Sequence, residues 1–276
     1  IAGWIFNSMA LIADGWHMAS HTAALSITLY AYWYARGHAR DPRYTFGTGK
    51  VGVLGGFSSA LILGVVALLL AWESVDRLAS PLAIAFDQAI VVAVVGLVVN
   101  LASAWILRGG GHGHSHAHDH GHAHEEDHNL RSAYFHVLAD APTSVLAIVA
   151  LLSGKYMGWA WMDPMMGIVG ALVIARWSYG LLRDTSPILL DGGVDEETVG
   201  RIKETIESDA DNLVADIHIW RMGSGRMAVI LSVVTHQPRP PEHYKALLKD
   251  HSELAHITVE VNGCAGKSCL PRKQTT

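Results

Sequence analysis

The sequence predicts a multi-pass α-helical membrane protein that ends in a small α+β domain. Two observations lead there. Apolar residues make up 50% of the 276 positions and charged residues only 16%, where a soluble domain carries roughly 25% charge; the mean hydropathy is +0.25. The apolar residues are also clumped, most of them before residue 190. The division is placed at 185, giving a membrane domain over 1–185 and a water-exposed domain over 186–276. A soluble enzyme is not expected. The formal net charge of −5 argues against a nucleic-acid partner, which calls for a basic surface.

A membrane helix needs about 20 mostly apolar residues. Five stretches meet or approach that length: about 7–35, 51–78, 84–107, 133–154 and 164–182. The chain opens on Ile1-Ala-Gly-Trp-Ile-Phe6, which reads as the tail of a further helix. Orientation follows from the basic residues. If the first span ends in the cytoplasm, Arg36, Arg40, Arg43, Lys50, Arg108, Arg131, Arg176 and Arg183 lie inside, and only Arg77 and Lys155 lie outside. This positive-inside bias puts the C-terminal domain in the cytoplasm. With one more helix before Ile1 the bundle has six spans, five of them visible here.

The tail is expected to read αββαβ. Asp195-Glu-Glu-Thr-Val199 opens a helix through about Ser208, with Val199, Ile202 and Ile206 on one face. Strand-like runs cover Leu213–Met222 and Met227–Thr235, joined at Gly223-Ser-Gly225. Pro240-Pro241 starts a short helix through Lys249, and His256–Val261 is a last strand. A two-layer α+β domain accommodates that order.

Ionisable groups inside the apolar spans carry the functional reading. Asp14, His17 and His21 lie on one face of the first span, and His136 and Asp140 stand four apart in the fourth. An aspartate at a membrane helix centre costs about 2.5–3.5 kcal/mol on insertion scales, so such groups must face each other, water or an ion. His17 and His21 from one helix, with His136 and Asp140 from the other, supply the four nitrogen and oxygen ligands that a tetrahedral zinc-like ion accepts. A hydrogen-bonded polar seam between helices, or a metal-free proton relay, uses the same groups.

The run Ser8-Met-Ala-Leu-Ile-Ala-Asp14-Gly-Trp-His17-Met-Ala-Ser-His21 resembles the second transmembrane helix of the cation diffusion facilitator family. Ala133-Tyr-Phe-His136-Val-Leu-Ala-Asp140 resembles its fifth, and Asp163-Pro164 with Gly167 the start of its sixth. The resemblance extends over nearly the whole chain. It implies a six-helix bundle with a ferredoxin-like cytoplasmic domain, a homodimer, and exchange of a divalent metal for protons at His17, His21, His136 and Asp140. The commonest family pattern has aspartate where this chain has His21. Three imidazoles and one carboxylate make a softer site, which favours zinc, cobalt or nickel over manganese. Asp14, one turn from His17, is expected to orient a histidine or relay a proton, with a structural polar contact as the other reading. Tyr44-Thr-Phe46-Gly47-Thr-Gly-Lys50 resembles the family's loop after this helix. Tyr44 and Thr48 stand where some members have metal-binding histidines, and Gly52 replaces an acidic residue. No metal site is expected there.

Residues 109–129 hold eight of the chain's 17 histidines, at 112, 114, 116, 118, 120, 122, 124 and 128. Such a composition builds no core and reads as a flexible loop that presents interchangeable imidazoles to metal. In the tail, His236, His243 and Glu260 stand where family members often have cytoplasmic ligands, so a structural metal there is an expectation implied by the resemblance. Cys264 and Cys269 are read as exposed thiols or as contributors to such a site.

The function expected is a proton-coupled antiporter in a bacterial inner membrane that exports zinc, cobalt or nickel. Gly52, Gly55, Gly56, Gly64 and Gly96 permit the close helix packing that rocking or dimer contact uses. The alternative is a membrane-anchored metal sensor or buffer using the histidine loop and the tail. An anchor has no need of His17 or Asp140. A passive channel needs a continuous polar path, and Asn100 and Ser103 extend it too little.

Overall fold

A computed structural model describes residues 1–109, 141–223 and 225–265. A single turn, α1 (Ala2–Ile5), precedes α2 (Met9–Gly37). The break between them falls at Phe6-Asn-Ser8, where Asn7 takes a left-handed φ of 54°. The helices α3 (Val51–Ala79), α4 (Phe86–Gly109), α5 (Ala141–Met157) and α6 (Met162–Leu189) follow. Among the described residues, three helices are long and apolar enough to cross a membrane: Val51–Ala79, Phe86–Ser103 and Met162–Leu189. At 29 residues α2 matches α3 in length, but it carries Asp14, His17 and His21, which lower its hydropathy. The described part of α5 starts at Ala141, just after the segment that holds His136 and Asp140.

The chain forms two compact units, one of residues 1–25 and 60–179, the other of 26–59 and 180–276. In the first, α2 is held from two sides. Met9, Ile12 and Ala13 pack with Ala67 and Leu70 of α3 and Ala171 and Ile174 of α6. Leu11 packs with Ala89 and Ala93 of α4 and Leu151 of α5. Five of these eleven residues are alanines, whose small side chains let membrane helices approach closely. Large apolar side chains such as Leu68, Leu69, Trp72 and Trp105 are exposed on the outer faces, where lipid replaces water as the solvent. Of the five glycines expected to permit close packing, a Cβ on Gly55 or Gly64 would lie 3.0 Å from a neighbouring side chain, whereas one on Gly52 meets nothing within 4 Å.

The second unit contains the C-terminal sheet, and its element order is the expected αββαβ. Helix α7 (Glu196–Glu207) begins at Asp195, whose side chain accepts the Thr198 N–H at 2.7 Å. Strands β1 (Leu213–Gly223) and β2 (Arg226–Thr235) pair antiparallel, and β3 (Leu254–Gly263) joins β2 in parallel after α8 (Pro241–Leu247) and a 3-10 turn (Leu248–Asp250). Ile202 and Ile206 of α7, Tyr244 of α8 and Leu248 bury Val214, Val229, Leu231, Val233 and Val259 of the sheet. Helices therefore cover one face. On the other face, register places Trp220, Ala228 and His256 side by side across the three strands. Phe46, from the loop after α2, stands edge-on to both rings at 5.5 Å. Lys50 of the same loop pairs with Asp191.

Helix α6 runs past the end of its apolar window at about residue 182. Arg183-Asp-Thr-Ser186 continue the helix in polar dress, and Pro187 sits in the last turn. It stops where Asp191 turns left-handed and the Gly192 N–H bonds back to Pro187 O at 2.7 Å.

Candidate metal-translocation site

The side chains that position this site are built from the start of α2. Ser8 caps the helix by accepting the Leu11 N–H on its hydroxyl oxygen at 3.1 Å. From that origin Asp14 and His17 fall on a shared face. His17 is buried, with its ring 5.0 Å from that of Trp177 on α6.

The decisive contact is between α2 and α5. Ser144 donates its hydroxyl to Asp14 Oδ1 at 2.9 Å. A water-sized cavity of about 40 Å³ adjoins it, lined by Asp14 and His17 of α2, Thr143 and Ala147 of α5, and Gly170 of α6 among others. The helix bearing His17 thus touches α5, whose first described residue is Ala141. In the sequence Ser144 stands four residues beyond Asp140, the same spacing that separates His136 from Asp140. That spacing was a signal in the sequence that points to Ser144. Trp177 has no such signal.

His136 and Asp140 lie outside the described residues, as does the histidine loop over 110–129. For His21 only the helical backbone is described. Convergence of the four expected ligands is therefore a proposal below, resting on the contact between their helices.

In the tail each expected histidine has an aspartate partner. His236 Nδ1 lies 2.6 Å from Asp211 Oδ2, and His243 Nε2 lies 2.7 Å from Asp209 Oδ2. Hydrogen bonds from the Thr235 hydroxyl and from His236 hold the Asp211 carboxyl below its ordinary value, and the His243 bond does the same for Asp209. Glu260 is exposed on β3, on the side shared with His256 and Thr258. Among the described residues no group of three or more His, Cys, Asp or Glu stands together as a metal cage. Cys264 is disulfide-bonded, which corrects its reading as an exposed thiol or thiolate ligand, because a disulfide sulfur carries no thiolate. Cys269 lies outside the described residues. In the loop after α2, Asp41 pairs with Arg43, and the Tyr34 and Tyr44 hydroxyls meet at 2.7 Å.

Residues 1–190 match the family model described as the cation efflux transmembrane domain. The chain belongs to the cation diffusion facilitator family. It is similar to other cation diffusion facilitators along nearly its full length. It is 31% identical to the cadmium, cobalt and zinc/H(+)-K(+) antiporter of Bacillus subtilis strain 168, covering 95% of this chain and 82% of that one. It is 31% identical to the zinc transporter ZitB of Escherichia coli K12, covering 98% and 84%. It is 30% identical to the cation efflux system protein CzcD of an Alcaligenes species, covering 94% and 80%. As a family member the chain is an integral membrane protein of metal efflux.

Proposed function

We propose that this cation diffusion facilitator exports a divalent transition metal from the cytoplasm in exchange for protons, with His17, His21, His136 and Asp140 as the transport ligands. The observation that carries the reading is the 2.9 Å bond from Ser144 to Asp14. It supports a shared polar face between α2 and the helix that follows His136 and Asp140. Three imidazoles and one carboxylate suit zinc, cobalt or nickel; zinc and cobalt also appear in the names of the similar proteins. Asp14, already bonded to Ser144, orients the ligand face.

Binding needs neutral imidazoles and an ionised carboxylate, so the metal displaces protons as it enters. An ordinary imidazole titrates near about 6.5, so protonation from the more acidic side expels the ion. Alternating access makes the two events exclusive and couples export to proton entry. The histidine-rich loop is a local collector of metal on the cytoplasmic side, and His236, His243 and Glu260 offer the tail a second, weaker set of ligands. The protein works as a homodimer in a bacterial inner membrane, with the tail in the cytoplasm.

The test is uptake of zinc, cobalt and nickel into proteoliposomes bearing a pH gradient. Asp140→Ala and His17→Ala are expected to abolish transport of all three without loss of folded protein. Transport that persists in both variants ends the four-ligand reading. Transport unaffected by collapsing the gradient ends the antiport.

A further inference from the structure

Asp163 is a buried carboxylate that the transport chemistry above does not use. It opens α6, is 1% exposed, and faces the start of a different helix. Its Oδ1 accepts the Ser8 hydroxyl at 2.6 Å and the Ala10 N–H at 3.2 Å, and its Oδ2 accepts the Met9 N–H at 2.6 Å. The first four N–H groups of any helix have no partner within it. For α2 those groups are Met9, Ala10, Leu11 and Ile12. Asp163 takes the first two, the Ser8 hydroxyl takes Leu11 at 3.1 Å, and the Ser8 carbonyl takes Ile12 at 3.1 Å. The accounting is complete only with a side chain from α6.

The grip continues along both helices. A Cβ placed on Gly167 would lie 3.0 Å from Met9 Cβ, and one on Gly170 would lie 2.7 Å from Ala13 Cβ. Trp177 then meets His17. Asp163, Gly167, Gly170 and Trp177 lie along one side of α6, against Met9, Ala13 and His17 of α2. From α3, buried Arg77 donates to Asn7 O at 2.8 Å and fixes the turn just before the cap. A carboxylate that accepts three bonds at one end of this seam admits only one depth and one rotation of α2. His17 lies eight residues on, about 12 Å along the axis.

We propose that Asp163 is a positioning residue for transport: by capping α2 from α6 it sets the register that brings Asp14 and His17 to the site. This rests on the transport-site reading above. The experiment uses the full chain reconstituted in lipid, with hydrogen exchange of the Met9 and Ala10 amides, equilibrium zinc affinity, and the KM and maximal rate of zinc uptake. In Asp163→Ala, exchange at Met9 and Ala10 is expected to quicken at least tenfold. Zinc affinity weakens at least tenfold, and KM rises with it. Asp163→Asn keeps the shape and one acceptor but sets its amide N–H against that of Met9, so it falls between wild type and Asp163→Ala. It also carries the test if the alanine variant does not fold. Ser8→Ala removes one of the three bonds to Asp163 and frees the Leu11 N–H, so exchange quickens at Leu11 while Met9 and Ala10 stay nearer wild type. Unchanged exchange at Met9 and Ala10 overturns the proposal, and so does faster exchange with unchanged zinc affinity and KM. His17→Ala is measured alongside. If it weakens zinc binding and the Asp163 variants do not, the positioning role alone falls. If it leaves zinc binding intact, the transport-site reading falls, and the role assigned to Asp163 falls with it.

Discussion

A single methyl group added at Gly170 should disable transport while leaving most of the fold standing. The new Cβ of Gly170→Ala would lie 2.7 Å from Ala13 Cβ, where carbon atoms settle near about 3.5–4.0 Å. Ala13 Cβ is rigidly attached to its backbone, so no side-chain rotation relieves the contact. Helices α2 and α6 must separate by about 1 Å. Overpacking of that kind costs roughly 1–3 kcal/mol, which a bundle of this size absorbs with a lowered melting temperature. A ligand face displaced by about 1 Å is more damaging, since such misplacement costs on the order of 100-fold in rate where geometry is demanding. Zinc uptake into proteoliposomes is therefore expected to drop about 100-fold. The double variant Ala13→Gly with Gly170→Ala moves the methyl from one helix to the other and removes the collision. Its helix-propensity changes, about 1 kcal/mol each, are opposite in sign. Uptake should recover to within a few-fold of wild type. A double variant no better than Gly170→Ala would refute the steric argument, as would a single variant that transports normally.

Three further outcomes follow from other parts of the molecule. Asp41, Asp195, Asp209 and Asp211 hold their carboxyls below the ordinary value, Asp41 at about 2 through its bond with Arg43. The unfolded value is near about 3.9. The folded chain thus binds fewer protons than the unfolded one in this range, so stability should be full above about pH 4 and fall as pH drops toward about 2, read by circular dichroism. Leu231→Ala, at a fully buried position of β2, should destabilise the C-terminal domain by about 2–5 kcal/mol, seen as faster amide exchange through β1–β3. Gly49→Ala should disturb the loop after α2 more than Lys50→Ala does. A Cβ at 49 would meet the Met222 carbonyl oxygen at 2.3 Å, whereas the half-exposed Lys50–Asp191 pair contributes less than about 1 kcal/mol. Equal protease sensitivity of the loop in both variants would count against this ranking.

The elements that were legible in the sequence are those whose signal is local. The strand-like apolar run of β2 and the face formed by Ile202 and Ile206 are each contained within one element. The spacing of Asp14 and His17 also lies within one helix, so their common face could be read directly. The end of α6 was not legible from hydropathy, because a helix continues through Arg183 and Asp184 after its apolar stretch has ended. The pairings of His236 with Asp211 and His243 with Asp209 join residues 25 and 34 positions apart. They depend on how the turn before β1 lies against the end of β2 and against α8. The role of Asp163 was the least legible. A carboxylate at a helix start normally serves its own helix, and nothing near residue 163 announces that it serves one 155 residues earlier.

The neighbour of His17 also gives the protein an optical reporter. The indole of Trp177 lies 5.0 Å from that imidazole, close enough for its emission to respond to the charge on the ring. In a chain that keeps Trp177 and replaces the other tryptophans with phenylalanine, metal arriving at the proposed site should change the fluorescence. Occupancy could then be followed on the timescale of a single turnover, with no label attached.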